Sequence, residues 1–412
     1  MADSGRNGRW NVLGRPARLL RTRRARVRRE QRGEHAPDLW NVWKAAPVVL
    51  VVGCAGALLV YWWLHGLAVP IAVPGGRARV DSLEVIKTTF TVLAFVGALF
   101  AGLYAYRKQL LAEGDASRAD AQQFADRYSK AADQLGSDQA AIRLAGVYAM
   151  ARLGDDWKPQ RQTCVDVLCA YLRMPYQPPG APEHRLGEDQ VRKTIVRVIA
   201  AHLQPNASPS WSVNDFDFTG AYLEEASFKS AIFSGHTADF AEVTFSGYTW
   251  FDEATFSSTA EFEGATFSDG AAFVEAKFSG EAIFRKTKFS KEAWFVGATF
   301  SDSTWFDEAT FSEDAWFQAV TFGSSARFDE ATFSHTAWFF RATFSGIAVF
   351  KSAAFAGGIM FDEATFSSTA EFEDVVLGDP SLSAALSRAR LRGRVTWGPF
   401  TPVPGPSDDG RD

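Results

Sequence analysis

A phenylalanine that returns every eleven residues constrains this chain more than any other feature. Phe251, Phe262, Phe273, Phe284, Phe295, Phe306, Phe317, Phe328, Phe339, Phe350, Phe361 and Phe372 form one series. A second series, Phe245 through Phe366, keeps the same period, offset by six and then five residues. Two positions before most of these stands a small residue, as at Ala254, Ala260, Ala265 and Ala271. The period does not drift over twelve units, so over this stretch the repeat is the fold.

An eleven-residue period also suits a right-handed supercoil of helices. Composition decides against it. The repeat is rich in Thr, Ser, Gly and Phe, which favour strands and turns over helix interiors. In "ATFS", Ala and Phe cannot share a helical stripe but can share the inside of a tightly turned β-coil. Phe then points inward, its two neighbours point outward, and Ala fills the space beside it.

The remainder of the 412 residues reads differently. Residues 1–39 hold eleven Arg, no Lys and four acids, and are expected to be a disordered arm that fixes membrane orientation, the competing reading being an arm that binds nucleic acid or anionic lipid. Two apolar stretches follow, about Ala45 to Leu64 and about Thr88 to Tyr106. Each comes close to the roughly 20 uncharged residues that cross a hydrocarbon core. Trp40, Trp43, Trp62 and Trp63 flank the first and Arg107 closes the second, as interfacial anchors do. The only basic residues of the loop 67–87 are Arg77, Arg79 and Lys87. The arm is therefore expected inside and the loop outside, with both termini and the repeat cytoplasmic. Ala94, Ala98 and Gly102 form a small-residue stripe expected to pack on the first span or, failing that, on another copy.

Residues 109–205 read as a small domain of about four helices. "QQFADRYSKAADQLG" ends at Gly136, and Ser137 or Asp138 is the expected cap of the next helix. Ile142, Ala145, Ala149 and Leu153 are expected to share that helix's buried face. His184 and His202 stand alone in sequence. The repeat occupies 206–378. Residues 379–397 read as a cap made of a short helix and one alternating strand, and 398–412 as a disordered tail. Charge divides along the same lines: 1–206 holds 29 Lys+Arg and 18 Asp+Glu, whereas 207–378 holds 9 and 26.

The units "AYLEEASFKSAIF" and their successors resemble the pentapeptide-repeat family, with a central Phe or Leu and a small residue two positions before it. The resemblance covers about 218–377. It implies an all-β solenoid, a right-handed quadrilateral β-helix, with one unit per face. After Phe240 every second unit carries a sixth residue, as in "FSSTAEF", which makes a coil of about 22 residues and about seven coils in all. Upstream of it the chain is expected to hold a two-helix transmembrane hairpin (40–108) and the helical domain. With "QLGSDQAAIRLAGVYAMARLGDD" between the hairpin and the repeat, the chain is similar to membrane-anchored bacterial members of that family, whose architecture implies no established activity.

A 22-residue coil assigns outward residues to faces. One face carries Trp250, Ala272, Trp294, Trp316, Trp338 and Met360 before its phenylalanines and Val274, Val296, Gln318 and Phe340 among those after them. Val274, Trp294, Val296, Trp316, Trp338 and Phe340 make an apolar patch of the kind that marks a contact surface, either for another protein or for a part of this chain. The opposite face carries Glu263, Arg285, Asp307, Asp329, Lys351 and Glu373, mostly opposite charges one coil apart. Two further faces show Thr and Ser and read as plain exposed strands. No phosphate loop, zinc spacing or nucleophile elbow occurs. The expectation is a membrane-anchored interaction scaffold without catalysis, cofactor or metal. Its partner is a protein of unknown identity, its lipid contact comes through the hairpin, and self-association is left open. Some members of the resembled family mimic DNA and bind DNA gyrase, and the acidic repeat makes a DNA mimic that binds gyrase or another nucleic-acid-binding protein the alternative reading, with no direct binding of nucleic acid expected.

Overall fold

The computed structural model describes residues 82–402, apart from 179, 183 and 184, together with scattered positions between 51 and 63. The expectations for the arginine-rich arm, for Trp40 and Trp43, for most of the first apolar stretch and its following loop, for His184 and for the tail beyond 402 lie outside the described residues. The chain divides into two compact units, Met1–Ser117 and Arg118–Asp412.

The first long element is helix α1, Ser82–Leu135, of 54 residues. It merges the second apolar stretch with "QQFADRYSKAADQL", which the sequence suggested as a separate helix. Among the described residues it is the one helix long and apolar enough to cross a membrane by length and composition. Ala94, Ala98 and Gly102 are exposed. The described contact from the first stretch goes elsewhere: a Cβ on Gly53 would stand 3.6 Å from Val96. Val96 lies on the other side of the helix, because two residues turn an α-helix by about 200°. The small-residue stripe therefore does not make the described contact with the first stretch. Trp62 and Trp63 are exposed and Arg107 is half-buried.

In the second unit, α2 (Ala140–Asp156), α3 (Arg161–Arg173) and α4 (Glu188–His202) pack with the end of α1. The start of α2 differs from expectation. Its N-cap is Gln139, with no side-chain cap bond. Neither Ser137 nor Asp138 caps the helix. Their carbonyls instead accept from the buried guanidinium of Arg143, at 3.1 and 2.7 Å. The same side chain pairs with Glu188 at 3.2 Å, and Glu188 also binds Arg192 and the Tyr171 hydroxyl. A buried arginine has to be compensated: the carbonyls of Ser137, Asp138 and Leu186 accept from its two terminal nitrogens, and Glu188 balances the charge beside its Nε, which makes no hydrogen bond of its own among the described residues. This shifts the buried face of α2 to Arg143, Gly146, Val147, Met150 and Leu153, leaving Ile142 exposed.

From Phe216 the chain enters a solenoid of about eight right-handed turns with coils of about 22 residues. Four parallel sheets of nine, six, eight and eight strands form its faces. It has one turn more than the seven expected, because strand pairing begins at Phe216–Asp217 and two cap strands, Arg390–Leu391 and Val395–Thr396, extend two of the ladders. At ~4.8 Å per turn the rod is about 38 Å long.

The phenylalanines fill the interior in columns. Phe284, Phe306 and Phe328 stack at 4.8 and 5.0 Å with nearly parallel rings. Across the rod, Phe295 meets Phe306 edge-to-face at 5.4 Å. Both geometries are favoured by the aromatic quadrupole. The small position is usually Ala, with Thr287 an exception whose hydroxyl donates to the Phe262 carbonyl at 2.8 Å.

Two corners of each coil are tight and two are longer by one residue, as the alternating five- and six-residue spacing demands. In the tight ones the third residue is left-handed: Glu308 has φ 56°, and Ala309 N–H closes the turn on the Phe306 carbonyl at 3.1 Å. That is the pattern of a type II turn, for which Gly is the natural occupant. Gly264 and Gly297 occupy this position in other coils.

The ends are closed from both sides. Helices α3 and α4 pack on the first turn, with Ile232 N–H bonding the Leu203 carbonyl at 2.8 Å. Arg173 pairs with Asp217, and the Tyr176 hydroxyl donates to Glu224 at 3.1 Å. At the far end the cap is a 3-10 turn, Pro380–Ala384, followed by two short strands in two different sheets, not one alternating strand. Phe400, placed by sequence in a disordered tail, is 3% exposed and sits edge-on to Phe372 at 5.1 Å. It covers the last ring of a column that would otherwise face water.

Candidate docking face and charged face

The six-stranded sheet brings the tryptophan row together. Trp250, Ala272, Trp294, Trp316, Trp338 and Met360 are consecutive partners in one parallel ladder. Trp316 and Trp338 stack at 4.9 Å, 2° from parallel. All four tryptophans are half-buried and Met360 is exposed. Val274, Val296 and Phe340 follow on the adjoining turns, also half-buried. The six candidate residues therefore share one surface. The described helices α3 and α4 meet the rod at its first-turn strands.

Three features of this face escape the repeat pattern. Tyr248 lies in a long corner, outside the row, yet its ring contacts Trp250 at 4.6 Å and Trp294 at 5.6 Å. It folds into the space that Gly270 leaves, where a Cβ would meet Tyr248 at 2.6 Å and Trp294 at 2.9 Å. An aromatic in a corner opposite a glycine one coil later was the available signal. Arg341 lies over the Phe340 ring at 4.8 Å while pairing with Glu363 at 2.7 Å. The Trp338 indole nitrogen is buried and has no hydrogen-bond partner among the described residues.

The opposite, nine-stranded sheet presents charge. Arg285 reaches Asp307 at 3.5 Å, and Lys351 reaches Glu373 at 3.3 Å, as the alternating row suggests. The apparent exception, Asp307 beside Asp329, is resolved by a residue from the neighbouring position. Arg327 inserts between them, 3.3 Å from Asp307 and 2.9 Å from Asp329. Burial, and then a hydrogen bond shared with Asp307, push the Asp329 carboxyl up to about 6. The nearby acids are thus held by two arginines and, below about pH 6, by a proton on Asp329. Among the described residues no group of three or more His, Cys, Asp or Glu could hold a metal ion.

Burial pushes the Cys164 thiol up to about 11 and the Cys169 thiol to about 12, so neither is primed as a nucleophile. His202, solitary in sequence, stacks on Trp211 at 4.0 Å and contacts Asp155 at 3.2 Å, while Trp211 donates to the same carboxylate at 2.8 Å. This trio ties the last turn of α4 to the segment entering the rod.

No curated protein and no solved structure matches the chain. Residues 218–266, 262–308, 295–343 and 328–376 each match the family model described as pentapeptide repeats (9 copies), so the solenoid of this chain is built of pentapeptide repeats.

Proposed function

We propose that this chain is a membrane-anchored, non-catalytic scaffold that docks a protein partner on the tryptophan face of its rod. The observation that carries the reading is the stacked, half-exposed Trp316–Trp338 pair on a face with few charges, in a repeat that holds 26 acids against 9 bases. Apolar aromatics that gather on an otherwise polar and charged surface are what interface cores look like. A rigid rod suits such a role, because its docking residues are ordered before the partner arrives and little entropy is lost on binding.

The anchor in this reading is a two-span hairpin, of which α1 supplies the second span, with both termini and the rod in the cytoplasm. The apolar length of α1 supports membrane association, and the arginine bias of 1–39 over 67–87 supports the orientation.

The test is affinity capture from membranes by the full-length chain, comparing the wild type with the Trp294→Ser/Trp316→Ser/Trp338→Ser variant. Loss of a captured protein in the variant supports the docking face, and an identical set of captured proteins removes it. The alternative, an acidic mimic of DNA that binds gyrase, draws on the net charge. Its support is thinner along the later turns, where Arg285, Lys286, Lys291, Arg327, Arg341 and Lys351 each pair with a carboxylate one turn away or less. Inhibition of gyrase supercoiling by the purified chain would reinstate it.

A further inference from the structure

The end of α1 and helix α4 flank α2 and leave a groove of about 970 Å³ along its outer face. The floor is made of small side chains. Ala145 and Ala149 lie one turn apart on α2, with Ala131 of α1 and Ala201 of α4 beside them. Tyr148, also on this face of α2, is 58% exposed. Alanines at such a spacing let another helix come close, because no long side chain holds its backbone away.

The rim is basic. Arg127 and Lys130 stand on α1, Arg152 on α2 and Arg197 on α4, and all four are exposed. Asp155 is the one acid of the lining, and its two oxygens already face Trp211 and His202. Arg127 pairs with Asp156, which is not part of the lining. Lys130, Arg152 and Arg197 have no carboxylate partner among the described residues, and Arg197 donates to the Thr194 hydroxyl at 3.0 Å. On the rod, by contrast, Arg285, Arg327 and Lys351 each pair with a carboxylate.

We propose that this groove docks an acidic amphipathic helix of another protein. That helix lies on α2 as a fourth member of the bundle, with its apolar stripe on the alanines and its carboxylates against the rim. The inference is independent of the tryptophan face and concerns a different part of the chain.

Two observations select this occupant. First, the chain has no segment of its own that fits. Residues 1–81 hold 14 Lys+Arg against 5 Asp+Glu, so their charge has the same sign as the rim. The segment 403–412 is acidic, but its ten residues reach at most about 36 Å from Pro402. The rod alone puts ~38 Å between that end and its first turn, and the groove lies beyond. Second, the charges are spread. A phosphate headgroup asks for several donors converging on one point, whereas these cations stand on three helices around an apolar floor. The acidic rod of a second copy has the right charge but presents strands and turns, not an apolar helical stripe.

The experiment is photo-crosslinking of the full-length chain in dodecyl maltoside. The probe is a helical peptide of about 15 residues, with leucines at positions i, i+3, i+4 and i+7, glutamates on both flanks and one central benzophenone. Crosslinks are expected on α2 between Ala145 and Arg152. Lys130→Glu/Arg152→Glu should reduce them about ten-fold or more, and the same variant should gain crosslinks to a peptide with lysines in place of the glutamates. Ala145→Trp, which fills the floor and leaves every charge in place, should abolish them. Circular dichroism establishes that both variants are folded. Crosslinks elsewhere, equal labelling of the wild type by the two peptides, or unchanged labelling of either variant overturns the proposal. A photoactivatable phosphatidylglycerol that labels the wild-type groove and spares the charge-reversed variant assigns the groove to a headgroup. A wild type that sediments as a dimer, beside a charge-reversed variant that does not, assigns it to a second copy. Either result also overturns the helix.

Discussion

The tryptophan face and the charged face lie on opposite sides of one rod and share everything below the surface. Phe295 of the first and Phe306 of the second touch edge-to-face in the same core. Their backbones form two separate parallel ladders of the same register, each followed by the same kind of left-handed turn. What differs is the residue placed just before each phenylalanine: Trp294, Trp316 and Trp338 on one side, Ile283, Trp305 and Arg327 on the other. On the charged side neighbours satisfy each other, so Arg327 spends its donors on Asp307 and Asp329. On the tryptophan side the indoles stack but stay half-exposed, and their remaining surface faces outward. In this solenoid the inward positions fix shape and the outward ones carry whatever the protein does, so the two can be changed separately.

That separation predicts a large contrast between two aromatic substitutions. Phe306→Ala removes a ring that is 0% exposed and stacked on both sides. It should cost about 3–5 kcal/mol and disturb both faces, because the cavity opens between them. Trp316→Ser removes one stacked outer partner and should cost about 1 kcal/mol. Chemical denaturation of the two variants measures the contrast. Comparable losses would mean that the tryptophan row is part of the core and not a free surface.

How much of this was written in the sequence follows the same line between inside and outside. The eleven-residue period predicts a stacked coil, and the resemblance to pentapeptide repeats, which implies four units per turn, makes that coil 22 residues long and so assigns the six residues of the apolar face. The period cannot predict interactions that leave it. Arg327 occupies a row of mixed residues, so its place between two carboxylates depends on side-chain reach and not on spacing. Tyr248 sits in a corner where the repeat has no preference. Arg143 is a charged residue on an amphipathic helix, which reads as surface until its four partners are assembled from three separate segments. Phe400 lies among prolines and glycines that signal disorder, and only the exposed end of the Phe372 column gives it a place.

The charged face can be broken alone. Arg327→Met keeps the stem that lies along the sheet and removes the guanidinium between Asp307 and Asp329. The two carboxylates then face each other without that cation, and stability should fall by about 1 kcal/mol at neutral pH, a modest value because the arginine is partly exposed. The tryptophan face should be unaffected, so partner capture by this variant should match the wild type. A loss of capture would show that the two sides are mechanically coupled through the core.

The tight turns offer a change of opposite sign that both faces should feel equally. Ala319 borders the tryptophan face and Ser352 the charged face, with φ values of 54° and 56°. Neither residue type favours the left-handed region, where a Cβ crowds the following carbonyl. Ala319→Gly and Ser352→Gly should each stabilise by up to about 1 kcal/mol, less the entropy that glycine adds to the unfolded chain. Thermal melts of the two variants should rise together. A rise at one side alone would mean that the turn is strained by its neighbours and not by the repeat.

The smallest effect separates the faces by pH. Asp329, on the charged side, holds its proton up to about 6, against an ordinary value of 3.8, first because it is buried and then because it shares a hydrogen bond with Asp307. Its folded-state value lies above its unfolded one. The stabilising contribution of the protonated carboxyl is therefore complete below about 3.8 and is lost as pH rises through about 6. Thermal unfolding midpoints of the wild type should carry a downward component across that window. Asp329→Asn, which keeps the shape and the hydrogen-bonding capacity but cannot ionise, should remove that component and raise the midpoint above wild type at neutral pH. The tryptophan face has no equivalent pair, so Trp316→Ser should leave the pH profile parallel to that of the wild type. If the asparagine variant keeps the wild-type slope between those two values, the shared proton does not sit on this pair, and the arginines alone hold the two carboxylates together.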